Sequence, residues 1–104
     1  MISYKDISSN KNKIMNKGPS IFKEYVKHVS DYKQKYGENT VVLMQVGSFY
    51  EIYAVINDTD NVGEVNIYDI CQGILGITVT KRDKKVREVS FKNYLMSGFQ
   101  IDYS

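Results

Sequence analysis

Apolar and polar positions alternate along this chain with more than one period. Ile21, Phe22, Tyr25, Val26 and Val29 recur at i, i+1, i+4, i+5 and i+8, the spacing of one helical face. Lys23, Lys27, Asp31 and Lys35 fall mostly outside that stripe. Pro19 stands where proline is tolerated, in a first helical turn, and Gly37 is a natural stop. The pattern predicts a helix from Pro19 to Tyr36. Val41-Val42-Leu43-Met44-Gln45-Val46 is an apolar, β-branched run between Asn39 and Gly47, which reads as a largely buried strand. Residues Ser48 to Ala54 form a second extended piece, and Asn57 to Asn61 a polar turn. A hairpin and a single bent strand satisfy the region around Gly47 equally well.

Helical spacing returns at Ile67, Ile70, Cys71, Ile74 and Leu75, predicting a second helix from Glu64 to Leu75 closed by Gly76. Gly73 inside it costs about 1 kcal/mol relative to alanine. Ile77-Thr78-Val79-Thr80 reads as a strand, Lys81 to Lys85 as a basic turn, and Val86 to Phe91 and Tyr94 to Met96 as further strands. The order helix, strand, strand, helix, strand, strand implies an α/β (α+β) domain, a mixed β-sheet with helices packed on it.

Length and composition bound this picture. The 104 residues, 42% of them hydrophobic, fit one globular domain with a modest core. Residues 1–18, rich in lysine, asparagine and serine, read as a flexible basic arm, and residues 19–104 as the folded domain. The single cysteine, Cys71, rules out an internal disulfide and fits a reducing, intracellular setting. No apolar h-region of a secretory signal is present, and no run approaches the ~18 apolar residues of a membrane span. The net charge of +2 conceals blocks. Residues 1–35 carry +5, residues 36–80 carry −6 without a single Lys or Arg, and residues 81–104 carry +3. Such blocks can steer a polyanion to one face, or can be solvated surface.

Parity sharpens the region after Gly47. Successive side chains of an extended chain point to opposite faces, so Tyr50, Ile52 and Ala54 share one face, and Phe49, Glu51 and Tyr53 the other. A carboxylate is expensive to bury unpaired, so the Glu51 face is expected to be wet. Phe49 is then a large aromatic pushed toward solvent beside an acid, next to a glycine that lets another backbone or ligand come close.

Gly47-Ser48-Phe49-Tyr50-Glu51-Ile52-Tyr53 resembles the glycine-x-Phe-Tyr-Glu-aliphatic-aromatic signature of the mismatch-recognition domain of the MutS family of DNA mismatch-repair proteins. Three further pieces are similar to that family in order and rough distance. These are the helix from Ser20 to Tyr36, the passage Ile74 to Arg82 with its Thr80-Lys81-Arg82 ending, and Leu95-Met96-Ser97-Gly98-Phe99. Ser48 stands where aspartate is common, Ser97 where alanine is usual, and Gln100 where proline is expected. The resemblance implies a MutS domain I-like fold and a DNA-binding domain rather than an enzyme. It implies that Phe49 enters the minor groove and stacks on a mispaired or unpaired base, while Glu51 hydrogen-bonds that base. The implied partner is double-stranded DNA with mismatches or small loops. The chain itself would need no cofactor. The rest of such a polypeptide would supply ATP- and Mg-dependent clamp domains and a dimer.

The basic residues Lys81, Arg82, Lys84 and Lys85 are candidates for phosphate contacts, which position a protein without conferring specificity, or are simple surface. No Gly-x-x-x-x-Gly-Lys-Ser/Thr loop is present for ATP, and His28, the one histidine, has no neighbouring cysteine or acid cluster at metal-ligand spacing. Two rival readings remain. One is a protein-interaction module using the Phe49 and Tyr53 face, and the other is a nonspecific DNA binder.

Overall fold

The computed structural model describes residues 18–101. Within them the order is α1 (Ser20–Tyr36), β1 (Met44–Val46), β2 (Phe49–Ile56), β3 (Asn61–Gly63), the wide π-helical turn α2 (Asp69–Leu75), β4 (Thr80–Lys81) and β5 (Leu95–Gln100). Together they make a small α+β domain with an open sheet and two helices. The expected basic arm, residues 1–18, lies outside the described residues apart from Gly18. That glycine belongs to the fold, since a Cβ there would sit 2.7 Å from the Phe91 carbonyl oxygen.

The sheet runs β1-β2-β5-β4, with β3 pairing the far half of β2 on the edge that β1 leaves free. Every pairing among the described strands is antiparallel, so the sheet is not mixed, as the sequence pattern had suggested. The reason is local. β1, β2 and β3 follow one another through short turns, which join antiparallel neighbours, whereas a parallel pair needs a long crossover. The Gly47-Ser48 turn places Val46 opposite Phe49, which settles a hairpin over a bent strand. With Gly47 at φ +59°, the turn has the glycine-first form that matches strand twist. The Ser48 carbonyl then accepts the Ile101 N–H at 2.7 Å, tying the turn to the end of β5.

Helix α1 begins one residue after Pro19, and it buries Phe22, Tyr25, Val26 and Val29 as the periodicity predicts. Phe22 stacks on Tyr94 with centroids 5.1 Å apart and meets Phe91 edge-on at 5.8 Å. Tyr25 packs edge-on against Tyr53, and Tyr53 against Tyr94. Burial, and then the nearby Glu64 charge, push the Tyr25 phenol above the ordinary tyrosine range. It therefore remains a donor, to the Val42 carbonyl at 2.9 Å. Glu64 is itself buried, with Lys33 of α1 at 3.8 Å and the Asn66 N–H on its other oxygen at 3.2 Å.

Four expectations need correction. The run from Val41 to Val46 is not a largely buried strand. Only Met44–Val46 pairs, and Val41 and Leu43 are exposed, because β3 occupies the rest of the β2 edge. The second helix is shorter than Glu64 to Leu75. Ile67 and Cys71 are buried, but Ile74 is 77% and Leu75 46% exposed, so the apolar stripe leaves the core after Cys71. Of the strand over residues 77–80, only Thr80 pairs, together with Lys81. Residues 86–91 form no strand, and the segment between β4 and β5 is held by short backbone turns together with side chains. Among the described residues, no helix is long and apolar enough to cross a membrane.

The aromatic packing that docks α1 makes a prediction. Truncating Phe22 to alanine removes a fully buried ring and should cost about 3–5 kcal/mol, a large part of the stability of a domain this size. Urea unfolding of the F22A chain checks this, with a transition moved to much lower denaturant as the expected result.

Candidate nucleic-acid interface

Phe49 is the first residue of β2, directly after the hairpin turn, and is 45% exposed. It has Val46 on one side and Gln100 on the other. The aromatic ring is therefore carried on backbone hydrogen-bonded along both edges, at the end of the sheet. Glu51 lies two residues on, on the same face, paired with Met44 and Gly98. On the reverse face Tyr50 packs against Phe99, with centroids 5.6 Å apart.

The parity argument places Phe49, Glu51 and Tyr53 together, but it errs on the environment of Tyr53, which is 1% exposed. From Ile52 to Val55 both faces of β2 are buried. Helix α1 lies over the Tyr53 side, so the wet part of this face ends at Glu51. The Tyr53 hydroxyl reaches back and donates to Glu51 Oε1. Burial first, and then that carboxylate, push the Tyr53 phenol above its usual range, so it persists as a donor. Glu51 is thereby held in one orientation, half-buried beside an exposed aromatic ring.

Gly98 completes the arrangement. A Cβ at this position would come 2.6 Å from the Tyr50 carbonyl oxygen and 3.3 Å from Glu51 Cγ. A side chain there would push into the strand and against the carboxylate. Gly98 was assigned no role from the sequence, and Tyr53 only a share in an exposed docking face. The signal for both was parity across paired strands, which needs the β2–β5 register and cannot be read from one strand alone.

Lys81 and Arg82 lie elsewhere. Lys81 pairs with Leu95 on β4–β5, five residues down β5 from Gln100, the partner of Phe49, and two strands across from β2. At about 3.4 Å per residue and 4.8 Å per strand, the two sites are roughly 20 Å apart. The Lys81 ammonium donates to the Arg87 carbonyl at 3.2 Å. Arg82 donates to the Lys92 carbonyl at 3.2 Å and lies over the Tyr94 ring. The four predicted residues thus form two separate pairs.

Residues 82–93 are shaped by Asn93, which is 4% exposed. Its side-chain oxygen accepts the Asp83 N–H at 2.7 Å, and its nitrogen donates to the Val86 and Glu88 carbonyls at 3.1 and 2.9 Å. Outside this scaffold Arg82, Lys84, Lys85 and Lys92 line an open concavity with Asp83 and Ser90.

Replacing Asn93 with alanine strands these three backbone groups, at about 1–3 kcal/mol for each that stays dry. The expected loss is about 2–4 kcal/mol, with amide exchange accelerating in residues 82–92 before it does in β2. Uniform acceleration across the domain would contradict the loop assignment. Comparison of the whole chain with protein-family models, with curated proteins and with solved structures finds no match.

Proposed function

We propose that this chain is a reading head for faulty DNA duplex, with Phe49 as the wedge and Glu51 as the polar partner of the base it meets. The observation that carries this is the pairing of an exposed Phe49 with an oriented, half-buried Glu51 on one face of a doubly paired strand end. The resemblance of residues 47–53 and of three further segments to the MutS mismatch-recognition domain supports the same assignment.

The chemistry follows from the duplex. An apolar wedge must unstack a base step, which costs a few kcal/mol and costs least where pairing is already faulty. Recognition therefore rests on deformability rather than on sequence. A wedge works only if it does not fold back, and the strands that flank Phe49, with Val46 and Gln100 opposite it and the Ser48 carbonyl holding the Ile101 N–H, fix the backbone that carries it. Glu51 presents the carboxylate oxygen that Tyr53 does not engage. That oxygen can accept a hydrogen bond from the base it meets. In this reading the chain is a binding module, and any ATP-driven step belongs to further domains of a longer polypeptide.

Anisotropy titrations with a matched duplex and with the same duplex carrying one unpaired base test the assignment. Phe49→Ala should weaken bulged-duplex binding about tenfold or more, from the ~1–3 kcal/mol of one stacked base, and leave matched binding unchanged. Glu51→Gln should hold bulged-duplex affinity within a few-fold, while Glu51→Ala loses most of the discrimination. Equal losses in the two Glu51 variants would remove the hydrogen-bonding role.

A further inference from the structure

We propose that residues 82–93 form a preformed clip for the phosphates of a nucleic-acid backbone, with Lys84, Lys85 and Lys92 facing the ligand. This deepens the DNA-binding reading and rests on it for the identity of the polyanion. It changes the roles expected of the basic residues. The Lys81 ammonium is committed to the Arg87 carbonyl, and Lys81 is not among the residues lining the concavity. Its work is to hold the loop closed. Arg82 serves both purposes, since one N–H braces Lys92 and the guanidinium has four more donors.

Three observations carry the assignment. First, the loop carries an excess of positive charge. Residues 81–93 contain six basic residues against Asp83 and Glu88. Among the described residues the ion pairs are His28–Glu24 and Lys33–Glu64, neither of them in this loop. The Asp83 carboxylate, which shares the lining of the concavity, has one oxygen engaged by the Lys85 backbone N–H at 3.0 Å. Second, the loop is built rather than loose. Asn93 ties it at three points, and the Arg82 N–H is fixed on the Tyr94 carbonyl at 2.9 Å. The repulsion among its lysines is thus overcome by the fold itself, and a phosphate that binds relieves it. Third, the concavity is open and its cations stand on separate residues around it. That suits phosphates held along a polymer better than one small anion, which needs to be enclosed.

Placement adds a geometric consequence. The clip begins roughly 20 Å from Phe49, or about six base pairs at 3.4 Å per step. The wedge reads the fault while the clip grips the backbone on one flank.

The test uses the full chain, the Lys84→Ala/Lys85→Ala/Lys92→Ala variant, and matched and bulged duplexes over a salt series. Each lost phosphate contact should make the slope of log K against log salt shallower by about 0.9. We expect a change of about 2–3 in slope, with matched and bulged affinity falling by the same factor. Inorganic tripolyphosphate should compete only at concentrations far above the duplex. An unchanged slope in the triple variant would overturn the clip. Tripolyphosphate binding as tight as the duplex would overturn the polymer as its ligand. The slope comparison is made on matched DNA, so failure of wild-type chain to discriminate a bulge would sink the mismatch reading and leave the clip standing.

Discussion

The antiparallel ladder between β2 and β5 is the constraint on which the rest of the domain depends. Six consecutive residues, Phe49 to Ala54, are matched to Gln100 through Leu95. That register sets Glu51 against Gly98, Tyr53 against Met96 and Ile52 against Ser97. A slip of one residue would turn every side chain of a strand to the other face. Tyr53 would leave α1, and Glu51 would lose both its hydroxyl partner and the space that Gly98 provides. The candidate site and the core are therefore specified by the same interaction, and neither can be altered without the other.

The same ladder explains how one strand serves two purposes. Between Ile52 and Val55, β2 is buried on both sides, with α1 over the Tyr53 side. At Phe49 the cover ends while the hydrogen bonding continues, with Val46 and Gln100 still in place. An exposed aromatic ring on rigid backbone is the result, and the Tyr53 hydroxyl bridges the dry and wet halves by orienting Glu51. At the far end the chain leaves regular structure altogether, and Asn93 replaces backbone ladders as the organiser of the basic loop.

What could be read from the sequence follows from how far each signal reaches. Helix α1 was legible because Phe22, Tyr25, Val26 and Val29 keep one period and one environment over their whole length. Phe49 and Glu51 were legible because the cost of burying a carboxylate assigns a face. Tyr53 was misjudged by the same argument, since one wet residue does not make a whole face wet once a helix crosses it. Ile74 and Leu75 continue a helical stripe that the fold does not bury, and periodicity carries no information on where a partner surface stops. Of the strand expected over residues 77–80 only Thr80 pairs, and the strand expected over 86–91 gave way to a loop tied in large part by the Asn93 side chain. No pattern of apolar positions encodes that. Lys81 and Arg82 lie apart from Phe49, and chain order says nothing of the two strands and five residues between them.

The most direct test of the central claim, that the Phe49–Glu51 end of β2 reads a fault in DNA, is a low-salt NMR titration of the chain. One duplex would be fully matched and the other identical but for a single unpaired base. NMR suits a small domain whose contact with DNA is expected to be weak. The account predicts that Phe49 and Glu51 shift with the bulged duplex alone, while residues 82–92 respond to both. A response confined to the basic loop and equal for the two duplexes would contradict it.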